Sequence, residues 1–304
     1  MSIPGRVTHN MMSQHLLADI RRSNSEIART SNEISSQKKI TTASDDPTGA
    51  HRALRLRAEL AENAANQTGV DATLAWTGTT EAALKSVNDI IHRTRELVIQ
   101  ASNDTLQPAD RALIAKELTQ LVEQVKSSAN AKVGDQYVFS GQASGTAPYT
   151  AGPVDTYAGD TAAVVRTIGP GQTVQVNVNG DDLFGGTPGD GKLLDTMRTA
   201  IANLTTSTPA DLASLRGPVL QDLTANLDTL LSARAQIGAV QNRAALADSR
   251  LDDVTLAVTD QLSNVEDVDM AEAITRLSSQ QTAYQAALSA GANVIQPSLM
   301  DFLR

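Results

Sequence analysis

The sequence predicts a mainly α-helical protein: an elongated antiparallel helical bundle or coiled coil formed by the N- and C-terminal segments, with a small β-rich insert in the middle. Three observations predict it. Leu212, Val219, Asn226, Ala233, Val240, Ala247 and Val254 recur every seven residues, and Leu223, Leu230, Ile237, Ala244, Leu251, Val258 and Val265 form a second such row. A heptad pattern this long without caps belongs to helices lying side by side, not to a globular core. Aromatic residues are only 3% of the chain, too few for several ordinary cores. Between Gly134 and Gly191 the helical period gives way to short alternating runs punctuated by Gly and Pro.

Taken in order, Pro4-Gly5 breaks any regular start, and a helix follows from about Thr8 to Gln37. Its apolar stripe is thin: Ile20, Ile27 and Ile34 at sevens, with Leu16 and Leu17 before them. So narrow a stripe needs packing to hold it, because propensity alone gives little. The segment Lys38–Gly49 interrupts the pattern; Ser44, Asp45 and Asp46 are candidate caps, and Pro47 suits the first turn of a new helix. That helix runs to about Ala101 on a seam that includes Trp76, Val87, Ile90 and Leu97. Asn103-Asp104 ends it, and Pro108 opens a third helix carrying Ile114, Leu118, Leu121 and Val125; the short connection makes the two antiparallel.

Tyr137-Val138-Phe139, Val164–Ile168 and Thr173–Val178 read as strands, the last ending in an Asn179-Gly180 turn. Helix resumes near Lys192, breaks at Thr208-Pro209, and then holds for roughly 50 residues, a rod of about 75 Å. Between Val265 and Met270 the register slips, and Asp267 and Asp269 can cap a restarted helix. On that last helix Met270, Ile274, Leu277, Gln281, Tyr284, Leu288, Gly291, Ile295 and Ser298 alternate at spacings of four and three. The division expected is a terminal coiled-coil domain (1–46 and 266–304), a helical rod (47–133 and 192–265) and a β-rich outer insert (134–191).

Charge and composition exclude several classes of function. A formal charge of −9 without a basic stripe argues against nucleic-acid partners. The densest basic cluster, His51 to Arg57, lies beside Glu59 and Glu62 and is a solvated helix face. Without cysteine there is no disulfide framework or thiol nucleophile. No stretch approaches the ~18 apolar residues of a membrane span, and no cleavable signal peptide is visible. Gly186 to Lys192 has the spacing of a phosphate-binding loop, but Leu193 stands where Ser or Thr would hold magnesium, and Pro188 lacks a backbone donor. His9, His15, His51 and His92 have no partners at metal spacing, and Asp45-Asp46 and Asp181-Asp182 sit in turns without a base. No catalytic, cofactor or metal residue is expected.

Two amphipathic terminal helices, each incomplete, pair most simply with each other and then with copies of themselves. This predicts a polymerising protein whose assembly interface is Leu16, Leu17, Ile20, Ile27, Ile34, Met270, Ile274, Leu277, Tyr284, Leu288, Ile295, Leu299 and Phe302. Its hinges and caps are Ser44, Asp45, Asp46, Pro47, Asp267 and Asp269.

Several segments carry a family resemblance. Ser36-Gln37-Lys38-Lys39-Ile40-Thr41-Thr42-Ala43-Ser44-Asp45-Asp46-Pro47 resembles the junction after the first helix of the flagellin superfamily, and its Ser-Asp-Asp-Pro form is more like the hook–filament junction members than filament flagellin. Tyr137–Gly141 with Ala147-Pro148-Tyr149, Val176–Gly185, Gln280–Ala286 and the Leu-Met-Asp-Phe-Leu ending at 299–303 are similar to the same branch. The resemblance implies a non-catalytic structural part of the bacterial flagellum, exported by the flagellar type III apparatus without a cleaved signal and kept soluble beforehand by an export chaperone. It implies a ring outside the cell between hook-associated protein 1 and the first flagellin subunits, with filament flagellin itself as the alternative.

Overall fold

The computed structural model describes residues 9–295. In chain order it contains α1 (His9–Ser36), α2 (Pro47–Ala101), α3 (Pro108–Ala129), β1 (Lys132–Val133), β2 (Gln136–Tyr137), β3 (Val165–Gly169) and β4 (Gln172–Gln175). Then come α4 (Gly180–Phe184), α5 (Leu193–Thr206), α6 (Pro209–Ser214), a π-helical turn (Leu215–Val219), α7 (Leu220–Glu266) and α8 (Met270–Ile295). The chain is mainly helical, with only small antiparallel strand pairs. Two compact units divide it: one takes the described residues up to Ala61 and from Thr255, the other is Glu62–Val254.

In the second unit α2 and α3 are antiparallel, as Arg93–Glu117 and Ser86–Ser128 contacts show. Leu84, Val87, Leu97 and Val98 of α2 bury against a core shared with Leu118, Val122 and Val125 of α3 and with Met197 and Ala200 of α5. On α7 the row Leu223, Leu230, Ile237, Ala244 and Leu251 is buried in that core, whereas Asn226, Val240, Ala247 and Val254 of the other row are only half-buried. The long helix does not begin at Leu212, because Pro218 lacks the N–H that an α-turn needs and the chain passes through the π turn instead. Thr73, Thr77 and Thr80 are fully buried on α2 and satisfy their hydroxyls on the carbonyls of Gly69, Thr73 and Trp76.

The insert differs in detail from its expectation. Gly134, at φ +59°, forms the turn between β1 and β2, and β2 ends at Tyr137. Val138 keeps one more bond across the hairpin, its N–H donating to Ala131 O at 3.0 Å, and Phe139 enters a core in which it meets Phe184 edge-on at 5.3 Å. The β3–β4 hairpin turns at Gly171 (φ +66°) with a bulge between Thr167 and Gly169. β4 stops at Gln175, and the Asn177 side chain takes over, accepting from Val164 N–H at 2.8 Å and donating to Ala162 O at 2.9 Å. Asn179 does not make a hairpin turn. Its Oδ1 accepts from Asp181 N–H at 3.0 Å and caps α4. Lys126, only 2% exposed, ties α3 to the following loop through Val154 O at 2.9 Å and the Asp155 carboxylate. Arg198 grips the same carboxylate with two hydrogen bonds of 2.7 and 3.0 Å. Burial pushes the Asp155 pKa up, but the bonds from Arg198 and Lys126 outweigh it and leave the group below the ordinary carboxylate range.

Candidate assembly interface

In the first unit α1 and α8 pack antiparallel. Leu16 lies against Gly291, Glu33 pairs with Arg276 at 3.6 Å, and Lys38 bridges Asp267, so the contacts run in opposite order along the two helices. Leu16, Ile20, Ser23, Ile27, Thr30 and Ile34 line the inner edge of α1 at steps of four and three. Facing them on α8 are Ala273, Leu277, Gln280, Tyr284, Ala287 and Gly291, at the same steps. A Cβ on Gly291 would come within 2.8 Å of Leu16 Cδ2, so glycine lets the leucine seat there.

The α8 seam read from the sequence therefore splits into two rows. Leu277, Tyr284 and Gly291 turn toward α1, while Met270, Ile274, Gln281 and Leu288 stay exposed, Ile274 at 55%. At 100° per residue, a position three before another lies about 60° to one side, which is enough to take Ile274 out of the α1 groove. Leu17 is likewise exposed on α1, at 48%. Ile295 is the last helical residue, and Leu299 and Phe302 lie outside the described residues. Ala273, Gln280 and Ala287 also face α1, although the apolar seam does not include them; their spacing of seven, in step with Leu277 and Tyr284, was the available signal.

The hinge residues have distinct roles. Asp46 caps α2, its Oδ1 accepting from Thr48 N–H at 3.0 Å, and Pro47 takes the first helical position. Asp45 closes the preceding turn: its Oδ2 accepts from Thr42 N–H at 2.9 Å, Thr41 Oγ1 at 3.0 Å and Thr41 N–H at 3.2 Å. Those bonds, the Thr42 backbone N–H first, pull its carboxyl down to about 2. Ser44 meets the Thr42 hydroxyl at 2.8 Å. Asp269 caps α8 through Ala271 and Glu272 N–H at 2.9 and 3.1 Å, whereas Asp267 joins Lys38 in a backbone bridge.

The loop from Gly186 to Lys192 uses its own carboxylates where a phosphate-binding loop would hold phosphate. Asp190 accepts from the N–H groups of Gly186, Thr187 and Lys192, and Asp195 from those of Gly189 and Gly191. Lys192 Nζ donates to Asp181 O at 2.8 Å. A cleft of about 340 Å³ beside it is floored by Leu194 and the Asp155–Arg198 pair. Among the described residues, no group of three or more His, Asp or Glu side chains could hold a metal, and no helix is long and apolar enough to cross a membrane.

Antiparallel terminal helices joined through a chain that is mainly helical, with only small strand pairs among the described residues, define a helical structural protein. Residues 7–144 match the bacterial flagellin N-terminal helical region, and residues 220–303 match the bacterial flagellin C-terminal helical region. The chain belongs to the flagellin family and is a structural component of the bacterial flagellum. It is 27% identical to flagellar hook-associated protein 3 of Escherichia coli over 94% of this chain and 95% of that protein. A flagellin of Bacillus subtilis is 26% identical over 98% of this chain and 100% of its own length. Two solved structures share the fold. A flagellar hook-associated protein of Vibrio parahaemolyticus has a TM-score of 0.67 at 23% identity, covering 73% of this chain and 100% of that one. Bacillus cereus FlgL has 0.58 at 22% identity, covering 69% and 99%.

Proposed function

We propose that this chain is the junction subunit of the flagellum, a non-catalytic adaptor ring between hook-associated protein 1 and the first flagellin subunits, outside the cell. Similarity to hook-associated protein 3 along nearly the full length of both chains carries this reading. The terminal segments, 1–46 and 266–304, form the polymerisation domain; 47–133 and 192–265 form the rod, and 134–191 faces outward. The row Met270, Ile274 and Leu288, together with Leu17, is what a neighbouring subunit covers, because burying exposed apolar side chains is the main favourable term in association. Leu16, Ile20, Ile27, Ile34, Leu277 and Tyr284 act one step earlier, by building the helix pair that presents the row. Before export, a flagellar chaperone covers the same surface.

The test is a deletion strain examined by electron microscopy of the cell surface and by immunoblot of flagellin in the medium. Hooks without filaments, with flagellin lost to the medium as monomer, support the junction role. The similarity to Bacillus subtilis flagellin favours a second reading, the filament subunit itself. Loss of all flagellin, on the cells and in the medium, establishes that one instead. Normal filaments in the deletion strain sink both.

A further inference from the structure

The two segments that interrupt the heptads, one between α1 and α2 and one between α7 and α8, are held to each other around a single carboxylate. The Glu266 side chain is 5% exposed and takes Lys38 Nζ at 2.9 Å and an Arg57 guanidinium nitrogen at 2.6 Å. Backbone bonds knit the same place: Lys39 N–H donates to Glu266 O at 2.7 Å and Val268 N–H to Gln37 O at 3.1 Å. Lys39 Nζ also reaches Asn264 O at 2.9 Å. Glu266 is the last residue of α7, the end at which the helix dipole disfavours a negative charge. The two cations offset that unfavourable placement, and their side chains are 42% and 50% exposed, so water can take them up once the carboxylate no longer holds them.

We propose that Glu266 is a charge latch. Its carboxylate, gripped by Lys38 and Arg57, makes the two interruptions one joint, and the joint opens when the charge on Glu266 is removed. The latch follows from this geometry alone and does not depend on the junction role. The charge matters, and not merely the shape. A Gln in its place offers one acceptor oxygen to two cations and turns an NH₂ toward one of them. Loss of one partner from a buried charge pair also leaves the other charge uncompensated, which costs more than the pair contributes.

Hydrogen exchange read by mass spectrometry on the purified full chain tests this, comparing segments 37–42 and 264–270 with segment 84–98 of the second unit. In Glu266→Gln, exchange of both hinge segments is expected to speed up at least tenfold while 84–98 is unchanged. Lys38→Met combined with Arg57→Met should match it, and all three substitutions together should be no faster than either set, since both sets remove the same interaction. Glu266→Asp, which keeps the charge, should fall between wild type and Glu266→Gln. Wild-type exchange in Glu266→Gln overturns the latch, as does acceleration of only one segment or strictly additive effects. Unprotected hinge segments in the wild-type chain overturn it too. Should Glu266→Gln unfold the second unit as well, Arg57→Met alone, which leaves Lys38 in place, decides: acceleration confined to the two hinge segments upholds the latch, and any other pattern overturns it.

Discussion

Ile274→Asp separates the two rows of α8 by experiment. Ile274 is 55% exposed, so in the isolated chain the substitution should change unfolding stability by no more than about 0.5 kcal/mol, the usual range for a surface position. In the proposed assembly a neighbouring subunit covers the remaining half of the side chain. Full burial of an isoleucine contributes about 1.5–3 kcal/mol, so the half still open to a neighbour contributes roughly 1 kcal/mol. Asp forfeits that and adds the desolvation of an unpaired carboxylate, worth several kcal/mol. A total of at least about 3 kcal/mol per contact corresponds to more than a hundredfold weaker association. Leu277→Asp, one turn on, strikes the α1 side and should lower the protection of the α1–α8 pair even in the monomer. Thermal unfolding and hydrogen exchange of the purified variants, with counts of filament-bearing hooks in a complemented deletion strain, give both readouts. Normal filament counts with Ile274→Asp, or unfolding indistinguishable from Leu277→Asp, would refute the two-row reading.

Other outcomes follow from single sites. Gly69→Ala places a Cβ far inside van der Waals contact with the Thr167 carbonyl oxygen and should cost about 1–3 kcal/mol, read as a lowered urea midpoint. Phe184→Ala removes a fully buried ring and its edge-on contact with Phe139, so about 3–5 kcal/mol should be lost from the second unit in the same assay. Asp45 is held at about 2 against an ordinary 3.8, so its contribution is complete above the ordinary value and is lost as the pH falls through about 2. The Thr42 amide should lose exchange protection across that window, whereas in Asp45→Asn, whose amide oxygen accepts without carrying a titrating charge, its protection should not change across the same window. Burial pushes Tyr157 up to about 12 against an ordinary 10, so a spectrophotometric titration should contain a step near 12 that Tyr157→Phe removes. Calorimetry with ATP should show no binding at Gly186–Lys192, whose amides already hold Asp190 and Asp195.

The long elements were legible in the sequence because their signals are local and repeated. Pro47 and Pro108 mark the starts of α2 and α3, and the sevenfold row through Leu223 and Leu251 is the buried face of α7. The α8 seam was legible as apolar but not as two rows. A spacing of four and three fits either edge of the stripe, and only the position of α1 decides between Leu277 and Ile274. Within the insert, alternation suggested a longer strand after Thr173, but a side-chain amide, Asn177, ended the ladder. The Glu266 cluster could not be read at all. Lys38 and Arg57 lie more than two hundred residues away from it in the chain, and no spacing rule reaches that far.

That separation also bears on how quickly the molecule closes. Nearly every contact between α1 and α8 joins residues from opposite ends of the chain, and such pairings raise contact order and slow folding. The α2–α3 hairpin can form from neighbouring sequence as soon as it exists, whereas the terminal pair must wait until the last residues are available. Throughout that interval the first helix has no mate, and its thin stripe gives it little reason to stay helical. The molecule thus has an early-setting middle and a late-setting seam. A refolding experiment with separate probes on α3 and α8 should resolve them as two phases.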